Sequence, residues 1–199
     1  WASWGPMPSE KLIGKVRRVG FNFGAPGDRV TESGTLWLDY PSVGGPSPDL
    51  PIQVSPEKVT YRYHHSLRVK GGQGWPWIAA SLAEGIESLR MKGLSKGKYL
   101  LRLTFLEPDH LLAGERVFDV LVQGKKLLSK YDVVKASGGD MRSIVESFEG
   151  ISIDDSILIK FRAIEGAPLL SGLELIREDL PTEQPIKLDE RTVRFGPFR

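Results

Sequence analysis

Apolar and polar positions alternate over short segments along most of the chain, which is typical of half-buried β-strands. The clearest segments are residues 98–106 and 116–122, in which every second residue is apolar. Gln123-Gly124 follows the second segment at the spacing of a tight turn, and Leu127-Leu128 opens another apolar segment. These three segments predict an antiparallel meander.

The rest of the chain is punctuated by most of its 22 glycines and 14 prolines, which leave few windows long enough for a helix. Residues 140–149 fit both a helical stripe and a strand alternation, and we favour a strand after a short turn. The stretch from Asp39 to Pro56, with a run of glycine and proline at residues 40–48, predicts a long loop. Further strands are predicted at residues 15–23, 59–69, 77–80, 86–91, 157–161 and 169–176.

This pattern predicts an all-β fold, an antiparallel β-sandwich that forms a single domain. We place the sandwich at residues 15–177, after an N-terminal extension at residues 1–14. Prolines and alternating charges follow at residues 178–199, which we interpret as a proline-rich C-terminal tail or an edge strand. A chain of 199 residues is long enough to bury a core in one such domain.

The amino-acid composition limits the classes of molecule that the chain is expected to bind. Hydrophobic residues make up 40% and charged residues 26% of the chain, as in ordinary globular proteins. The net charge is +2 and the basic residues are scattered along the sequence, so no polyanion-binding stripe and no nucleic-acid partner are predicted. No apolar run approaches the length of a membrane span, and no cysteine offers a thiolate. The start at Trp1 rather than methionine suggests a fragment of a longer protein.

Several sequence blocks resemble the malectin-like carbohydrate-binding domains. The hairpin blocks are YLLRLTFLE at residues 99–107 and GERVFDV at residues 114–120, followed by Gly124-Lys125. FNFG at residues 21–24, YDV at residues 131–133 and LSGLELI at residues 170–176 extend the resemblance over most of residues 16–177. The insertion at residues 37–48 looks like the bacterial branch of the family, whose modules are appended to large exported proteins.

The resemblance implies a jelly-roll sandwich without catalysis of its own, with a saccharide bound in a groove built by loops. It implies an oligosaccharide or polysaccharide as the partner, together with other domains of a parent chain. It also implies an extracellular, periplasmic or cell-surface location. We predict no membrane insertion.

The predicted groove departs from the family at one loop. Members place an aromatic pair directly after the strand that here ends at Glu107, whereas this chain has Pro108-Asp109-His110. Glu107, Asp109 and His110 are therefore the predicted polar contacts to sugar hydroxyls in that loop.

Flat apolar faces for stacking on a pyranose are the second requirement of sugar binding. Trp37, Tyr40 and Trp75 lie beside glycine- and proline-rich loops, whereas Trp77 begins a predicted apolar strand and is assigned to the core. The alternative for the tryptophans is that they fill the open ends of the sandwich beneath the long loops. His65 joins the groove candidates, with a hydrogen bond to backbone at a strand end as its alternative role.

Catalytic and metal chemistry have little support. The chain contains no Gly-x-Ser-x-Gly motif, and Asp119 lies between Phe118 and Val120 like a structural acid. Asp154-Asp155 and the turn at residues 138–140 offer oxygen ligands for calcium but match no defined loop, so solvated turns are favoured. We predict no catalytic residues, no metal site and no cofactor, apart from the low-ranked structural calcium.

Two functional hypotheses remain at this stage. The first is a non-catalytic carbohydrate-binding module that recognises a glycan through loop aromatics and polar loop residues. The second is a protein-interaction or scaffolding sandwich that packs on neighbouring domains of a larger parent protein. The departure at Pro108-Asp109-His110 favours the second.

Overall fold

The alternating segments form strands in a computed structural model that describes residues 15–42 and 50–188. Two short α-helices and a 3-10 turn at Ser66–Arg68 interrupt them. The helices are α1 Pro76–Ala79 and α2 Val133–Ser137. The strands are β1 Arg18–Phe23, β2 Arg29–Val30, β3 Leu36–Tyr40, β4 Ile52–Ser55, β5 Thr60–Tyr63, β6 Gly71–Gln73, β7 Ser81–Glu84, β8 Ser88–Met91, β9 Gly97–Leu106, β10 Val117–Val122, β11 Lys125–Asp132, β12 Arg142–Ile153, β13 Ile157–Glu165, β14 Leu169–Leu170, β15 Gly172–Arg177 and β16 Lys187–Leu188.

The strands form three sheets. An eight-stranded sheet has the order β16-β6-β12-β9-β15-β1-β3-β2, a five-stranded sheet has the order β11-β10-β13-β8-β4, and β14-β7-β5 form a third. Neighbouring strands are antiparallel except for the pairs β1 with β3 and β6 with β12, which are parallel. The predicted all-β sandwich is confirmed.

The main core lies between the eight-stranded sheet and the two smaller sheets. Phe105 of β9, Phe118 of β10 and Tyr131 of β11 face inward, and the ring centroids of Phe105 and Tyr131 are 5.2 Å apart. Phe118 also contacts Phe161 of β13, with 6.4 Å between ring centroids. The three strands form where the sequence predicts them, and the β10–β11 hairpin is confirmed. The predicted meander is wrong at β9, which pairs with β12 and β15 in the eight-stranded sheet and faces β10 across the core.

The outer face of the eight-stranded sheet carries a second layer of packing. Trp37 of β3 projects outward and lies across Gly20, its partner on the parallel strand β1. Ile78 of α1 packs over Gly172 of β15 on the same face. The absence of a side chain at these two glycines therefore lets an indole ring and a helix approach the sheet closely.

Some predicted elements are corrected. Residues 76–79 form helix α1 instead of the expected strand, since Pro76 at the first helical position favours a helix start. The strand expected at residues 59–69 ends at Tyr63, where the chain turns into the 3-10 turn. β4 forms within the stretch expected to be loop, whereas residues 43–49 of that loop lie outside the described residues. Residues 142–153 form β12, which confirms the favoured strand.

The segment after β15 returns to the eight-stranded sheet. β16 pairs antiparallel with β6 at the sheet edge, and Leu188 packs in a small satellite core with Val69, Leu106 and Met141. Among the described residues, no helix is long and apolar enough to cross a membrane.

Candidate functional site

The residues predicted to form one groove lie in two separate places. Trp37 and Trp75 line a cavity on the outer face of the eight-stranded sheet, which we call the tryptophan pocket. Asp109 is instead bonded to Arg62 of β5, at the place that we call the loop end, defined by β5 and residues 107–115.

A network of ion pairs, buried at Glu107 and Arg116, dominates the loop end. Glu107 is fully buried, and its carboxylate accepts a hydrogen bond of 2.6 Å from Nε of Arg116. Arg116 also reaches Glu84 at 3.0 Å and Asp109 at 3.2 Å, while Arg62 binds the same two acids at 3.1 Å and 2.5 Å. These five side chains tie the end of β9 to β5 and β7, so the predicted ligand acids Glu107 and Asp109 are bound to arginines.

The ionisation of Asp109 follows from these contacts. The hydrogen bond from Arg62 holds the pKa of Asp109 below its usual range, and the nearby charge of Arg116 acts in the same direction. Asp109 is therefore ionised at neutral pH and has no proton to donate as a general acid.

The two predicted histidines have structural partners. His65 caps the 3-10 turn, where its Nδ1 accepts a hydrogen bond of 3.2 Å from the backbone N–H of Leu67. The ring of His110 is hydrogen-bonded to Asp140, which also forms an ion pair of 3.0 Å with Lys70. His65 thus makes the backbone bond that was its alternative role.

Tyrosines approach the loop end from β3 and β5. The ring of Tyr40 packs edge-on against Phe23 at 5.9 Å and Tyr61 at 6.0 Å between centroids. Burial raises the pKa of Tyr61 to about 12. Tyr63 is 57% exposed and presents an aromatic surface at the end of β5. Tyr63 was not predicted, because its alternation with Tyr61 suggested packing.

The tryptophan pocket is a cavity of about 50 Å³. β9 and β15 supply Arg102, Thr104 and Glu174, which lie on the outer side of the eight-stranded sheet. The other lining residues come from the β2–β3 turn, from β3 and β12, from the chain around α1 and from the segment before β16. They are Thr31, Ser33, Trp37, Gly74, Trp75, Ile78, Val145, Glu183, Gln184, Pro185 and Ile186.

The polar groups of the tryptophan pocket are partly paired. Glu174 accepts a hydrogen bond of 2.6 Å from the hydroxyl of Thr35 and forms an ion pair of 3.2 Å with Arg102. A second guanidinium nitrogen of Arg102 donates to the carbonyl of Glu183. Two buried donors, Nε of Arg102 and Nε1 of Trp37, have no acceptor among the described residues. Such donors favour an oxygen acceptor from a ligand or solvent.

The indole rings form a connected cluster. Trp37 is 4% exposed and packs edge-on against Trp77 at 5.7 Å between centroids. Trp75 is half-buried, and its ring centroid lies 6.3 Å from that of Trp77. The guanidinium group of Arg29 lies over the Trp77 ring, 5.1 Å from its centroid. Trp75 is thus the more accessible of the two predicted tryptophans.

Arg102, Glu174, Arg62 and Arg116 were missed by the sequence analysis. Arg102 and Glu174 are cross-strand partners of β9 and β15, which are far apart in sequence. The sequence does show that Arg102 and Glu174 occupy outward polar positions in alternating strands. Placing the two side chains next to each other requires knowing that these two strands pair.

The turn acids proposed for calcium are engaged with cations. Asp154 pairs with Lys96 at 2.9 Å and Asp155 pairs with Lys15 at 2.8 Å, while Asp140 has the contacts given above. The part of the chain that the structure describes holds no group of three acids or histidines suited to a metal ion.

The fold is an all-β sandwich of several mostly antiparallel sheets. The family model of the malectin domain matches residues 85–185, about half of the chain. The chain therefore belongs to the malectin domain family. No curated protein matches the sequence.

Solved structures share the fold at low sequence identity. A β-glucuronidase from Bacteroides uniformis is similar with a TM-score of 0.61 and 19% identity, over 80% of this chain and 18% of that protein. The ANX2 ectodomain from Arabidopsis thaliana has a TM-score of 0.61 and 14% identity, over 88% of this chain and 50% of the ectodomain. The plant receptor-like kinase FER has a TM-score of 0.56 and 12% identity, over 81% of this chain and 42% of its own. This chain thus spans half or less of each of these proteins.

Proposed function

We propose that the chain is a non-catalytic carbohydrate-binding module and that it binds a glycan at the tryptophan pocket. The observation that carries the proposal is that Trp75, a half-buried aromatic ring, lines one cavity with Trp37 and Arg102, each of which has a buried donor without an acceptor among the described residues. Aromatic faces with a few polar groups of fixed orientation are the usual composition of a saccharide site.

The cavity volume limits what enters it. A volume of about 50 Å³ is enough for a few waters, since one water needs about 10–15 Å³ on this measure. It therefore accepts one polar substituent of a sugar, such as a hydroxymethyl group or a carboxylate, while the ring lies outside against Trp75. An oxygen of that substituent accepts from Nε1 of Trp37 and Nε of Arg102.

The absence of catalysis belongs to the same proposal. Hydrolysis of a glycoside requires one carboxyl group that donates a proton and a second that acts as base or nucleophile. At the loop end, Asp109 is ionised and both Glu107 and Glu84 are bound to Arg116. In the tryptophan pocket, Glu174 is bound to Arg102 and Thr35. These contacts support binding without chemistry.

The proposed setting is a longer protein located outside the cytoplasm, in the extracellular space, the periplasm or the cell surface. The similar solved structures include an ectodomain from a plant, of which this chain spans half, and an enzyme, of which it spans less than a fifth. Neighbouring domains of the same protein are then the second class of partner.

The test is binding to an array of immobilised oligosaccharides, followed by calorimetry on the sugars that bind. Trp75→Ala removes the accessible ring of the tryptophan pocket, and we expect roughly tenfold weaker binding, which is about 1.4 kcal/mol. Tyr63→Ala is the matched control because it removes an exposed aromatic ring at the loop end. Loss of binding in Tyr63→Ala with unchanged binding in Trp75→Ala would move the site to the loop end.

A second candidate is a domain that packs on a neighbouring domain of the same protein. It is favoured by the exposure of three large apolar side chains at or near the loop end, Tyr63, Leu67 and Leu112. If the folded wild-type chain binds no sugar on the array, and a longer version of the protein shields Tyr63 and Leu67 from solvent, this candidate replaces the first.

A further inference from the structure

The chain between β15 and β16 crosses the outer face of the eight-stranded sheet, and we call residues 181–186 of it the strap. Both ends of the strap are anchored. Before it, the N–H of Glu178 donates to the carbonyl of Lys98 at 2.9 Å, and after it Leu188 of β16 is buried in the satellite core. Residues 183–186 line the tryptophan pocket. The strap therefore forms one wall of the pocket between two fixed points.

The strap itself is held by little burial. Arginine side chains donate to the carbonyls of Pro181 and Glu183, and the N–H of Gly74 donates to the carbonyl of Ile186 at 2.8 Å. Residues 181–184 are exposed, and the other two strap residues are only partly buried. A segment with few buried apolar contacts opens locally at a low cost in free energy, while the rest of the fold stays intact.

The strap occupies part of the donor set of Arg102. Nη1 of Arg102 is bound to Glu174 at 3.2 Å, and Nη2 donates to the carbonyl of Glu183. Nε is buried and has no acceptor among the described residues. Nε and Nη2 lie on the same side of the planar guanidinium group, where they form a pair of parallel donors for two oxygens of one partner. One donor of this pair is therefore taken by the strap and the other is left unused.

We propose that the strap is an autoinhibitory lid on the tryptophan pocket, in which the carbonyl of Glu183 occupies Nη2 of Arg102 until a polar group of a ligand displaces it. With the strap in place, the cavity of about 50 Å³ admits a single substituent. When the strap lifts, one wall of the cavity is removed, and Nε and Nη2 are available to the same ligand. The inference describes the regulation of the site proposed above and rests on that proposed function for the nature of the ligand.

A lid of this kind has a measurable consequence for affinity. The apparent affinity is lowered to the fraction of molecules in which the lid is open, so a substitution that favours the open strap tightens binding. Pro181 offers such a substitution, because it is exposed and is not among the residues that line the pocket. Glycine at this position gives the open strap more conformational freedom and keeps the backbone carbonyl that accepts from Arg18.

The first measurement follows the strap without any ligand. Hydrogen exchange at the N–H of Gly74, observed by NMR, reports opening because the acceptor of this N–H is Ile186. We expect exchange that is about two- to fivefold faster in Pro181→Gly than in the wild type. Pro51→Gly is the matched control, since Pro51 is also exposed and its carbonyl also accepts a hydrogen bond, from Lys92 at 3.0 Å. Exchange at Gly74 should be unchanged in this control.

The second measurement is a titration with acetate, with sodium chloride as the blank. Acetate is the probe because its two oxygens match the parallel donors of Arg102 and because its binding presupposes no sugar. The NMR signals of Nε of Arg102 and Nε1 of Trp37 report binding. We expect about two- to fivefold tighter binding in Pro181→Gly and wild-type binding in Pro51→Gly. Arg102→Lys keeps the charge without the parallel donors and is expected to weaken binding at least tenfold.

Three results would overturn the lid. Exchange at Gly74 that is unchanged in Pro181→Gly would show that the strap does not open by itself. Equal acetate affinity in Pro181→Gly and the wild type, or no acetate binding in either, would show that the strap does not control Arg102. Weaker binding in Pro181→Gly would show that the strap closes over the ligand and stabilises it.

The two proposals fail separately. If acetate binds as expected and no sugar binds on the array, the lid is retained and the glycan function is lost. If sugar binding depends on Trp75 while Pro181→Gly leaves both acetate and sugar affinity unchanged, the glycan function is retained and the lid is lost.

Discussion

At the scale of single residues, the packing on the outer face of the eight-stranded sheet depends on the contact between Gly20 and Trp37. A Cβ atom at Gly20 would overlap the six-membered ring of the indole, which is held in turn by Trp77. Gly20→Ala is therefore expected to lower the free energy of unfolding by about 1–3 kcal/mol, the usual cost of overpacking. Urea denaturation followed by tryptophan fluorescence measures the difference.

Gly97→Ala is the matched control for that substitution. Gly97 also lies on a strand, and a Cβ there would meet the flexible side chain of Arg177 at 3.2 Å, which is able to move aside. Similar losses in both variants would mean that the indole moves easily and that the packing over Gly20 is not tight.

Trp37 also shows the limit of sequence analysis for a single residue. A tryptophan beside a glycine- and proline-rich loop fits both an exposed stacking ring and a buried plug. The indole lies against Gly20 of β1, and Ile78 of α1 packs on the sheet beside it. These contacts decide between the two alternatives. Local pattern carries no information on those contacts, so the two alternatives remained open.

At the scale of elements, helix α2 is tied to the loop end by one carboxylate. Oδ1 of Asp132 caps the helix by accepting from the N–H of Lys135 at 3.0 Å, and Oδ2 accepts from the N–H of Gly114 at 2.6 Å. Asp132→Ala removes both acceptors, and we expect a loss of about 1 kcal/mol in stability from the cap. We also expect faster amide hydrogen exchange at Gly114.

Asp132→Asn distinguishes the cap from the charge in that experiment. The asparagine amide retains one oxygen acceptor, so the cap is kept and a smaller loss of stability is expected. If exchange at Gly114 is unchanged in Asp132→Ala, the bond between loop and helix does not hold the loop in solution.

The elements differ in how far their sequences determine them. β9 and β10 were predicted because their period-two alternation is long, and β11 because a Gln123-Gly124 turn precedes the apolar Leu127-Leu128. α1 was not, since a four-residue apolar run fits a strand or a helix equally well. The pairing of β16 with β6 brings together positions more than a hundred residues apart, which no local pattern reveals.

At the scale of the whole molecule, the predicted single groove is replaced by separate surfaces. The loops after β9 and β3 do approach each other through β5, since Asp109 binds Arg62 and Tyr40 packs on Tyr61. Trp75 lies elsewhere because α1 carries it over the outer face of the eight-stranded sheet. The positions of most strands followed from the sequence. Which loops lie close together depends on the order of the strands in the sheets, and that order did not follow from the sequence.

The pH dependence of stability also belongs to the whole molecule, and it is expected to have two stages. Four aspartates have lowered pKa values because of hydrogen bonds from basic side chains, so their contribution is complete above pH about 3.9 and is lost below it as they become protonated. They are Asp109 with Arg62, Asp119 with Lys126, Asp140 with Lys70 and Asp155 with Lys15.

His64 produces the earlier stage. Burial, followed by the charges of Arg62 and Arg68, lowers its pKa, and its Nε2 is buried without a partner among the described residues. Between pH about 6.5 and the folded-state pKa, the unfolded chain binds a proton that the folded chain does not, so acidification favours unfolding. Melting temperatures measured from pH 7 downward should decline in this range for the wild type and stay level in His64→Gln. Equal slopes in the two proteins above pH about 4 would show that His64 titrates normally. The steeper decline at lower pH should be common to both proteins, because the aspartates are unchanged.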